Sequence, residues 1–160
     1  MRKALFLDRD GVLNRERGDY TYSLQDFEVL PDVVEALKLA RQKRYLLIVI
    51  SNQGGIAKGI YTSERVEELH QKLADQLNES GLKLDEVYYC KHHSAVGKCI
   101  CRKPNSLMLE KAIARFQIDP RLSIMIGDSE RDVIAGEKVG VRGILIPSNT
   151  SILETVKGLA

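Results

Sequence analysis

The chain has 160 residues, of which 44% are hydrophobic and 29% are charged, and its net charge is +2. These values suit one ordinary globular domain, which we place at residues 1–160. Lysine and arginine are scattered and no apolar run approaches the ~20 residues of a membrane span, so we expect a cytoplasmic monomer without a nucleic-acid or membrane partner.

Short apolar runs alternate with helical patterns along the whole chain. The apolar runs predict strands at residues 4–7, 45–50, 86–89, 122–126 and 143–146. Apolar residues at helical spacing predict helices that begin at Pro31, at Thr62 or Ser63, at Pro104, at Ser129 and near Ser151. Because alternating strands and helices form a parallel sheet with helices on both faces, the sequence predicts a three-layer, doubly wound, Rossmann-like α/β fold.

Polar residues stand where three of these strands end. Asp8 and Asp10 follow the first strand. Ser51 follows the second strand and Asp128 follows the fourth, while Lys103 directly precedes a helix. In open parallel sheets, ligands bind beyond the carboxyl ends of the strands. The pattern therefore predicts that three carboxylates, a hydroxyl and a lysine meet at one edge of the sheet.

This combination suits the transfer of a phosphoryl group, which needs an in-line nucleophile, a divalent cation and positive charge around the equatorial oxygens. Asp8 and Asp128 offer the oxygen ligands that magnesium prefers, and Lys103 offers a fixed positive charge. Gly11 leaves room for backbone N–H groups to approach a phosphate. Taken singly, each residue has a structural explanation, such as a helix cap for Asp128 or a solvated charge for Lys103. Because all of these residues are expected at the same edge of the sheet, a catalytic site is favoured over separate structural roles.

Four segments resemble, in order, the four motifs of the haloacid dehalogenase (HAD) superfamily of phosphatases. They are residues 6–14 with the sequence FLDRDGVLN, Ser51, Lys103 with the preceding Cys101-Arg102, and Gly127-Asp128 with Asp132. The resemblance extends from about residue 3 to residue 147. It implies the HAD fold and a magnesium-dependent phosphomonoester hydrolase.

By this resemblance, the reaction passes through a phosphoaspartate. Asp8 is the nucleophile, and Asp10 is first the general acid that protonates the leaving oxygen and then the base that activates water. The resemblance also implies that magnesium is bound by the side chains of Asp8 and Asp128 and by the carbonyl oxygen of Asp10. The expected catalytic residues are therefore Asp8 and Asp10.

The resemblance also names the groups that hold the phosphate. Ser51 and Asn52 would hold the phosphoryl oxygens, and Lys103 would neutralise charge on the nucleophile and on the phosphate. Asp132 would support the site from outside it. Arg102 could form bidentate hydrogen bonds with a second phosphate or with sugar oxygens.

The cysteines of this chain all lie in one loop together with histidine. Three cysteines and one histidine suit a structural zinc site of tetrahedral geometry, whereas disulfides are rare in a reducing compartment. The expected Zn²⁺ ligands are Cys90, His92, Cys99 and Cys101, with His93 as an alternative to His92. The competing interpretation is three unpaired cysteines and a surface histidine. A zinc-binding loop would hold the segment that leads directly into the third motif.

The cysteine loop resembles one HAD branch, the D-glycero-D-manno-heptose 1,7-bisphosphate phosphatases and the related histidinol-phosphate phosphatases. The turn at residues 51–59, SNQGGIAKG, is closer to the heptose enzymes, and Tyr20 lies where the flap of the family contacts sugar. The expected reaction is therefore removal of the C7 phosphate from the heptose bisphosphate, with histidinol phosphate as the alternative substrate. Ser129 stands where some heptose enzymes have lysine, which leaves the anomer preference open.

The spacing of the motifs leaves no room for a cap domain. Only one helix and a flap at residues 15–22 separate the first motif from Ser51. Two further alternatives are a DNA 3′-phosphatase and a zinc-stabilised binding module without catalysis. The small net charge and the absence of a basic aromatic groove argue against the first. The complete set of acids and lysine argues against the second.

Overall fold

A five-stranded parallel sheet forms the centre of the computed structural model, which describes residues 1–160. The strands are β1 (Lys3–Leu7), β2 (Tyr45–Asn52), β3 (Glu86–Cys90), β4 (Ile124–Gly127) and β5 (Arg142–Leu145), in the spatial order β3-β2-β1-β4-β5. The helices are α1 (Val33–Gln42), α2 (Ser63–Asn78), α3 (Leu107–Phe116), α4 (Glu130–Glu137) and α5 (Leu153–Lys157). None of them combines the length and the apolar character that crossing a bilayer requires.

Helices cover both faces of the sheet, and β1 shows how one strand serves two cores. Leu5 and Leu7 belong to a cluster with residues of α1, α2 and α5. Ala4 and Phe6 point to the opposite face and pack with α3 and α4. This alternation follows from the two-residue period of a strand. The three-layer, doubly wound fold without a cap domain is thereby confirmed.

The boundaries of some elements differ from the predicted ones for local reasons. The helix predicted at Pro31 begins at Val33, because Asp32 adopts a left-handed conformation with φ 68°. The helix predicted at Pro104 begins only at Leu107, after a turn in which the Asn105 N–H donates to the carbonyl oxygen of Arg102 at 2.8 Å. At α2 the N-cap is Thr62, whose side chain accepts the N–H of residue 65 at 3.2 Å.

The topology places two acids at a crevice. From β1 the chain runs outward to β2 and β3 and then returns to β4 on the other side of β1. The strand order reverses between β1 and β4, and loops that diverge at such a point leave a crevice beyond the carboxyl ends of the strands. Leu7 pairs with Ile126 in the sheet, so Asp8 and Asp128 emerge side by side at this crevice.

Candidate active site

The crevice is a cavity of about 470 Å³ lined by acids from both strands. Asp8 follows β1, Asp128 follows β4, and Asp132 lies in the first turn of α4. One carboxylate oxygen from each of these acids lies within 4.8 Å of the others, and we call them the acid cluster. The cavity is also lined by further residues that the sequence predicts for the site, namely Asp10, Tyr20, Asn52, Arg102 and Lys103.

Lys103 lies between two members of the acid cluster although it is only 2% exposed. Its Nζ lies 3.0 Å from Asp8 Oδ1 and 2.6 Å from Asp132 Oδ1, and it donates to the carbonyl oxygen of Ile50 at 2.6 Å. All the protons of this buried ammonium therefore have acceptors. Burial alone would lower the pKa of Lys103, but Asp8 and Asp132 raise it, so the ammonium stays charged.

Asn52 holds the backbone of Lys103. Its Nδ2 donates to the Lys103 carbonyl oxygen at 3.2 Å, and its Oδ1 accepts the Lys103 N–H at 2.9 Å. Both ends of the side-chain amide are thereby engaged. The Asn52 side chain thus holds the backbone of Lys103 beside the cavity that Asn52 itself lines.

Negative charge exceeds positive charge within the acid cluster. Burial raises the pKa of Asp8 to about 8, Asp132 and Asp10 add to this shift, and Lys103 opposes it. An acid shifted in this direction lacks sufficient positive charge nearby. A divalent cation beside Asp8 and Asp128 would supply that charge, and carboxylate oxygens are ligands that magnesium prefers. The residues present therefore fit a magnesium ion.

Asp10 lies in a different electrostatic environment. Its Oδ1 accepts hydrogen bonds from Arg9 Nη2 at 2.8 Å and Asn14 Nδ2 at 2.9 Å, and its Oδ2 accepts one from Gln53 Nε2 at 3.1 Å. Burial alone would raise the pKa of Asp10, but the buried Arg9 guanidinium and these hydrogen bonds lower it below its ordinary value. The pKa values of Asp8 and Asp10 thus shift in opposite directions, and a cation bound beside Asp8 would oppose the rise in its pKa and favour the ionised carboxylate.

Gly11 packs against the acid cluster rather than lining the cavity. Its φ is +84°, and a Cβ at this position would lie 2.1 Å from Asp128 Oδ2. Its N–H donates to the carbonyl oxygen of Asn14 at 2.7 Å, so this N–H is engaged within the loop. Asp128 Oδ2 also accepts a hydrogen bond from Ser148 Oγ at 2.6 Å, which fixes the carboxylate.

Basic residues line another part of the same cavity. Arg102, Arg131 and His93 face it, and we call the two arginines together with the neighbouring Lys58 the cationic rim. Partial burial lowers the pKa of His93, and the charges of Lys58, Arg102 and Arg131 lower it further. Gly54 leaves space for this packing, because a Cβ there would lie 2.7 Å from His93 Cδ2 and 2.9 Å from Arg102 Nη1. The cavity therefore offers a second place for negative charge.

The flap at residues 15–22 contributes Tyr20 to the cavity wall. Its ring meets Tyr61 edge-on with 5.8 Å between the centroids, and Lys58 Nζ lies 5.4 Å from the Tyr20 ring centroid. Tyr20 thus joins the flap to the cationic rim. The flap forms neither helix nor strand.

The cysteine loop brings four donor atoms together. Cys90 Sγ lies 2.8 Å from Cys101 Sγ, 3.8 Å from Cys99 Sγ and 3.5 Å from His92 Nδ1, and the cysteines are free thiols. Around a tetrahedral zinc ion with ~2.3 Å bonds, sulfur atoms lie about 3.8 Å apart. The Cys90–Cys99 spacing matches this value and the Cys90–Cys101 spacing is shorter. The residues present fit zinc by their donor chemistry and because all four donor atoms lie within 4.8 Å of one another. His93 lies apart from this group, and its Nδ1 accepts a backbone N–H of the loop at 3.0 Å.

Sequence reasoning did not single out four residues that shape this site, namely Arg9, Gln53, Arg131 and Ser148. Ser148 lies just beyond β5, so the strand-end rule applied to the fifth strand would have found it. Gln53 lies one residue past β2, where its Nε2 donates at 2.8 Å to the Oγ of the fully buried Ser51. Arg9 stands between two acids, which is a visible charge pattern. The sequence carries no comparable signal for Arg131, because the direction of its side chain depends on how α4 packs.

Comparisons with known proteins agree with this geometry. Residues 100–158 match the HAD-hydrolase-like family. The D-glycero-beta-D-manno-heptose-1,7-bisphosphate 7-phosphatase of Haemophilus ducreyi is 40% identical over 147 residues, covering 88% of this chain and 80% of that protein. The D-glycero-alpha-D-manno-heptose-1,7-bisphosphate 7-phosphatase of Photorhabdus laumondii is 36% identical over 145 residues, covering 87% and 79%.

A solved structure shares the fold over almost the whole of this chain. It is the D,D-heptose 1,7-bisphosphate phosphatase from B. bronchiseptica, complexed with magnesium and phosphate. The TM-score is 0.85 at 28% identity, over 99% of this chain and 88% of that one. The likeness therefore extends through the sheet, the flap and the cysteine loop.

Proposed function

Because this chain belongs to the HAD superfamily of phosphatases, we propose that it removes the C7 phosphate of D-glycero-D-manno-heptose 1,7-bisphosphate with the help of magnesium. Residues 1–160 would act as one phosphatase domain. Membership of this family makes the protein a phosphoric monoester hydrolase and sets aside the binding module without catalysis. The observation that carries the choice of substrate is the cationic rim, which shares one cavity with the acid cluster.

The proposed reaction has two steps. In the first, a carboxylate oxygen of Asp8 attacks phosphorus and the bond from phosphorus to the sugar oxygen breaks. The leaving oxygen keeps the bonding electrons and takes a proton carried by Asp10 at Oδ2. In the second, water attacks phosphorus and gives one proton to Asp10 Oδ2. The bond from phosphorus to Asp8 then breaks, which releases inorganic phosphate and restores the Asp8 carboxylate.

The phosphoryl oxygens are negatively charged in both steps, so positive charge must lie beside them throughout the reaction. Lys103 Nζ, 3.0 Å from Asp8 Oδ1, provides a fixed part of it. Magnesium, when bound, would supply the rest by polarising the phosphoryl oxygens. The side chains of Asp8 and Asp128 and the carbonyl oxygen of Asp10 are the groups we propose to hold it. Ser51, buried behind the cavity, would act on the phosphate only through the residues it contacts.

The cationic rim distinguishes the two candidate substrates. A bisphosphate would place its second phosphate against Arg102 and Arg131, where charge-assisted hydrogen bonds form. Histidinol phosphate instead carries an ammonium group, and this group would meet the positive charges of the rim. Repulsion between like charges disfavours that substrate. The rim therefore supports the heptose bisphosphate over histidinol phosphate.

The test is a kinetic comparison of the two heptose bisphosphate anomers with histidinol phosphate. We expect kcat/KM for at least one anomer to exceed that for histidinol phosphate by about 100-fold or more, since a charge-assisted contact is worth ~1.5–3 kcal/mol. Removing magnesium with EDTA should abolish turnover, and adding it back should restore turnover. A preference for histidinol phosphate would overturn the choice of substrate.

Arg131→Ala tests whether the cationic rim binds the second phosphate of the substrate. It should raise the KM for the bisphosphate about 10-fold or more, because it removes a charge-assisted contact. It should leave hydrolysis of a simple aryl phosphate almost unchanged, because that substrate has no second phosphate. Arg142→Ala removes the same charge from an exposed position on β5 and serves as the control. Equal losses on both substrates would contradict the assignment of Arg131.

We also propose that the cysteine loop holds a structural zinc ion. All four donors are used, so no ligand position is left for catalysis. The loop reaches the cavity through Arg102, whose Nη1 donates to the carbonyl oxygen of His92 at 3.3 Å. Zinc would therefore stabilise the position of Arg102 and of the adjoining Lys103.

Elemental analysis of the purified protein should find about one zinc ion per chain. His92→Asn should lower the zinc content strongly, because it removes one of the four donor atoms. His93→Asn should retain zinc, because the Nδ1 of His93 lies apart from the sulfur atoms. Active wild-type protein without zinc, or loss of zinc only in the His93 variant, would refute this assignment.

A further inference from the structure

We propose that Gln53 and Tyr61 are positioning residues that fix the proton-carrying oxygen of Asp10 through a buried hydrogen-bond relay. The relay runs from the Tyr61 hydroxyl to Gln53 Oε1 at 2.8 Å and from Gln53 Nε2 to Asp10 Oδ2 at 3.1 Å. The inference rests on the proposed function, because it assigns a task within the phosphatase reaction.

The two oxygens of Asp10 are held differently. Oδ1 accepts hydrogen bonds from Nε and Nη2 of Arg9, at 3.3 and 2.8 Å, and from Asn14 Nδ2 at 2.9 Å. Three donors leave this oxygen no room for a further partner. Oδ2 accepts only from Gln53 within the protein, so it keeps a lone pair for a proton. The proton exchanged with substrate and water is therefore carried at Oδ2, the oxygen that Gln53 touches.

The orientation of the Gln53 amide follows from its partners. When Asp10 is ionised, its carboxylate only accepts hydrogen bonds, so the NH₂ group then faces Asp10. The same NH₂ group donates to Ser51 Oγ at 2.8 Å, and the Tyr61 hydroxyl donates to the amide oxygen. A flipped amide would set its oxygen against the carboxylate. Only one orientation therefore satisfies every partner, and Tyr61 reinforces it.

Packing makes the relay rigid. Gln53 is 2% exposed and Tyr61 is 7% exposed. The Tyr61 ring lies directly on Gly55, where a Cβ would come within 2.1 Å of Tyr61 Cε1. On its other side the ring stacks on Tyr22 of the flap, with 5.5 Å between centroids. A small displacement of a catalytic group costs rate, so such support has a kinetic consequence.

How strongly the relay affects the reaction rate depends on the leaving group of the substrate. A phenolate with electron-withdrawing substituents departs without help, whereas a more basic leaving oxygen needs the proton of Asp10. Gln53→Met keeps the length of the side chain but removes all three of its side-chain hydrogen bonds, and Tyr61→Phe removes only the hydroxyl. Both variants should make kcat/KM fall more steeply as the leaving group becomes more basic. Gln53→Met should show the larger effect.

The experiment measures kcat/KM for a series of substituted phenyl phosphates, from 4-nitrophenyl phosphate to unsubstituted phenyl phosphate, with magnesium present. For Gln53→Met we expect a loss of about 10- to 100-fold on phenyl phosphate and a much smaller loss on 4-nitrophenyl phosphate. Tyr45→Phe removes a hydroxyl at the first residue of β2, at the opposite end of that strand from the cavity, so it should match the wild type. Tyr61→Phe keeps the packing and tests the idea even where Gln53→Met folds poorly.

The outcomes separate the inference from the function on which it rests. Equal losses across the series in both relay variants would overturn the positioning role, because a merely structural defect does not depend on the leaving group. Unchanged kinetics in both variants would overturn it as well. A wild-type enzyme that hydrolyses none of the phosphates would instead overturn the proposed function itself.

Discussion

Asp8→Asn should lower kcat by about 10³-fold or more on every phosphate ester, because the variant lacks the carboxylate that we propose as the nucleophile of a covalent reaction. A neutral amide oxygen does not displace the leaving group from phosphorus. Asp10 and Lys103 would still surround the phosphate in this variant, but neither replaces the attacking oxygen. The measurement is magnesium-dependent release of phosphate from an aryl phosphate.

The Asp8 variant should fold normally. Lys103 retains its contacts with Asp132 at 2.6 Å and with the carbonyl oxygen of Ile50 at 2.6 Å. Asp75→Asn on the exposed side of α2 is the control for the same chemical change. Near-normal turnover by the Asp8 variant would remove Asp8 as the nucleophile.

The same variant has an expected pH signature in magnesium-free buffer. Burial raises the pKa of Asp8 from 3.8 to about 8, so between these values the folded state binds a proton that the unfolded state has released. This linkage makes the wild-type free energy of unfolding fall as pH rises through that window. Asp8→Asn should show a weaker fall. Urea denaturation at several pH values checks the sign.

Lys103→Met should damage both stability and catalysis. The variant leaves Asp8 and Asp132 buried without their shared cation, and removal of one partner from a buried ion pair costs about 3–5 kcal/mol. It should also abolish turnover, because the fixed positive charge beside the phosphoryl group is gone. Lys83→Met, at an exposed position, is the matched control and should change little. Urea denaturation and aryl phosphate hydrolysis measure the two effects.

A double variant distinguishes charge from packing in this prediction. Lys103→Met combined with Asp132→Asn removes one of the unpaired acids, so it should recover part of the lost free energy of unfolding. It should not recover activity. If the double variant is no more stable than Lys103→Met alone, packing rather than unpaired charge explains the loss.

The fold and the acids of the site were predictable because their signals are local. An apolar run of strand length, such as residues 45–50, shows that a segment is buried on both faces. A polar residue directly after such a run lies at the edge of the sheet where ligands bind, as Asp8 and Asp128 do. Helix starts were less predictable, because a left-handed residue such as Asp32 shifts the boundary without a clear sequence signal.

The partners of the site residues were not predictable in this way. Gln53 reaches Asp10 across 43 positions of sequence, and Lys103 reaches Asp8 across 95. Likewise, the Asn52 amide holds the backbone of Lys103 across 51 positions of sequence. Hydrogen-bond partners depend on distances of about 3 Å between atoms, and no periodicity encodes those distances.

The sequence by itself therefore determined the parallel α/β sheet, the edge at which the acids meet, and the loop with the cysteines. It did so because burial, strand ends and ligand chemistry are properties of neighbouring residues. Only the tertiary structure decided that His92 joins the sulfur atoms, that Arg131 joins the cationic rim, and that Tyr61 reaches Asp10 through Gln53. Those outcomes depend on how separate elements pack, since packing alone sets which distant side chains come within bonding distance.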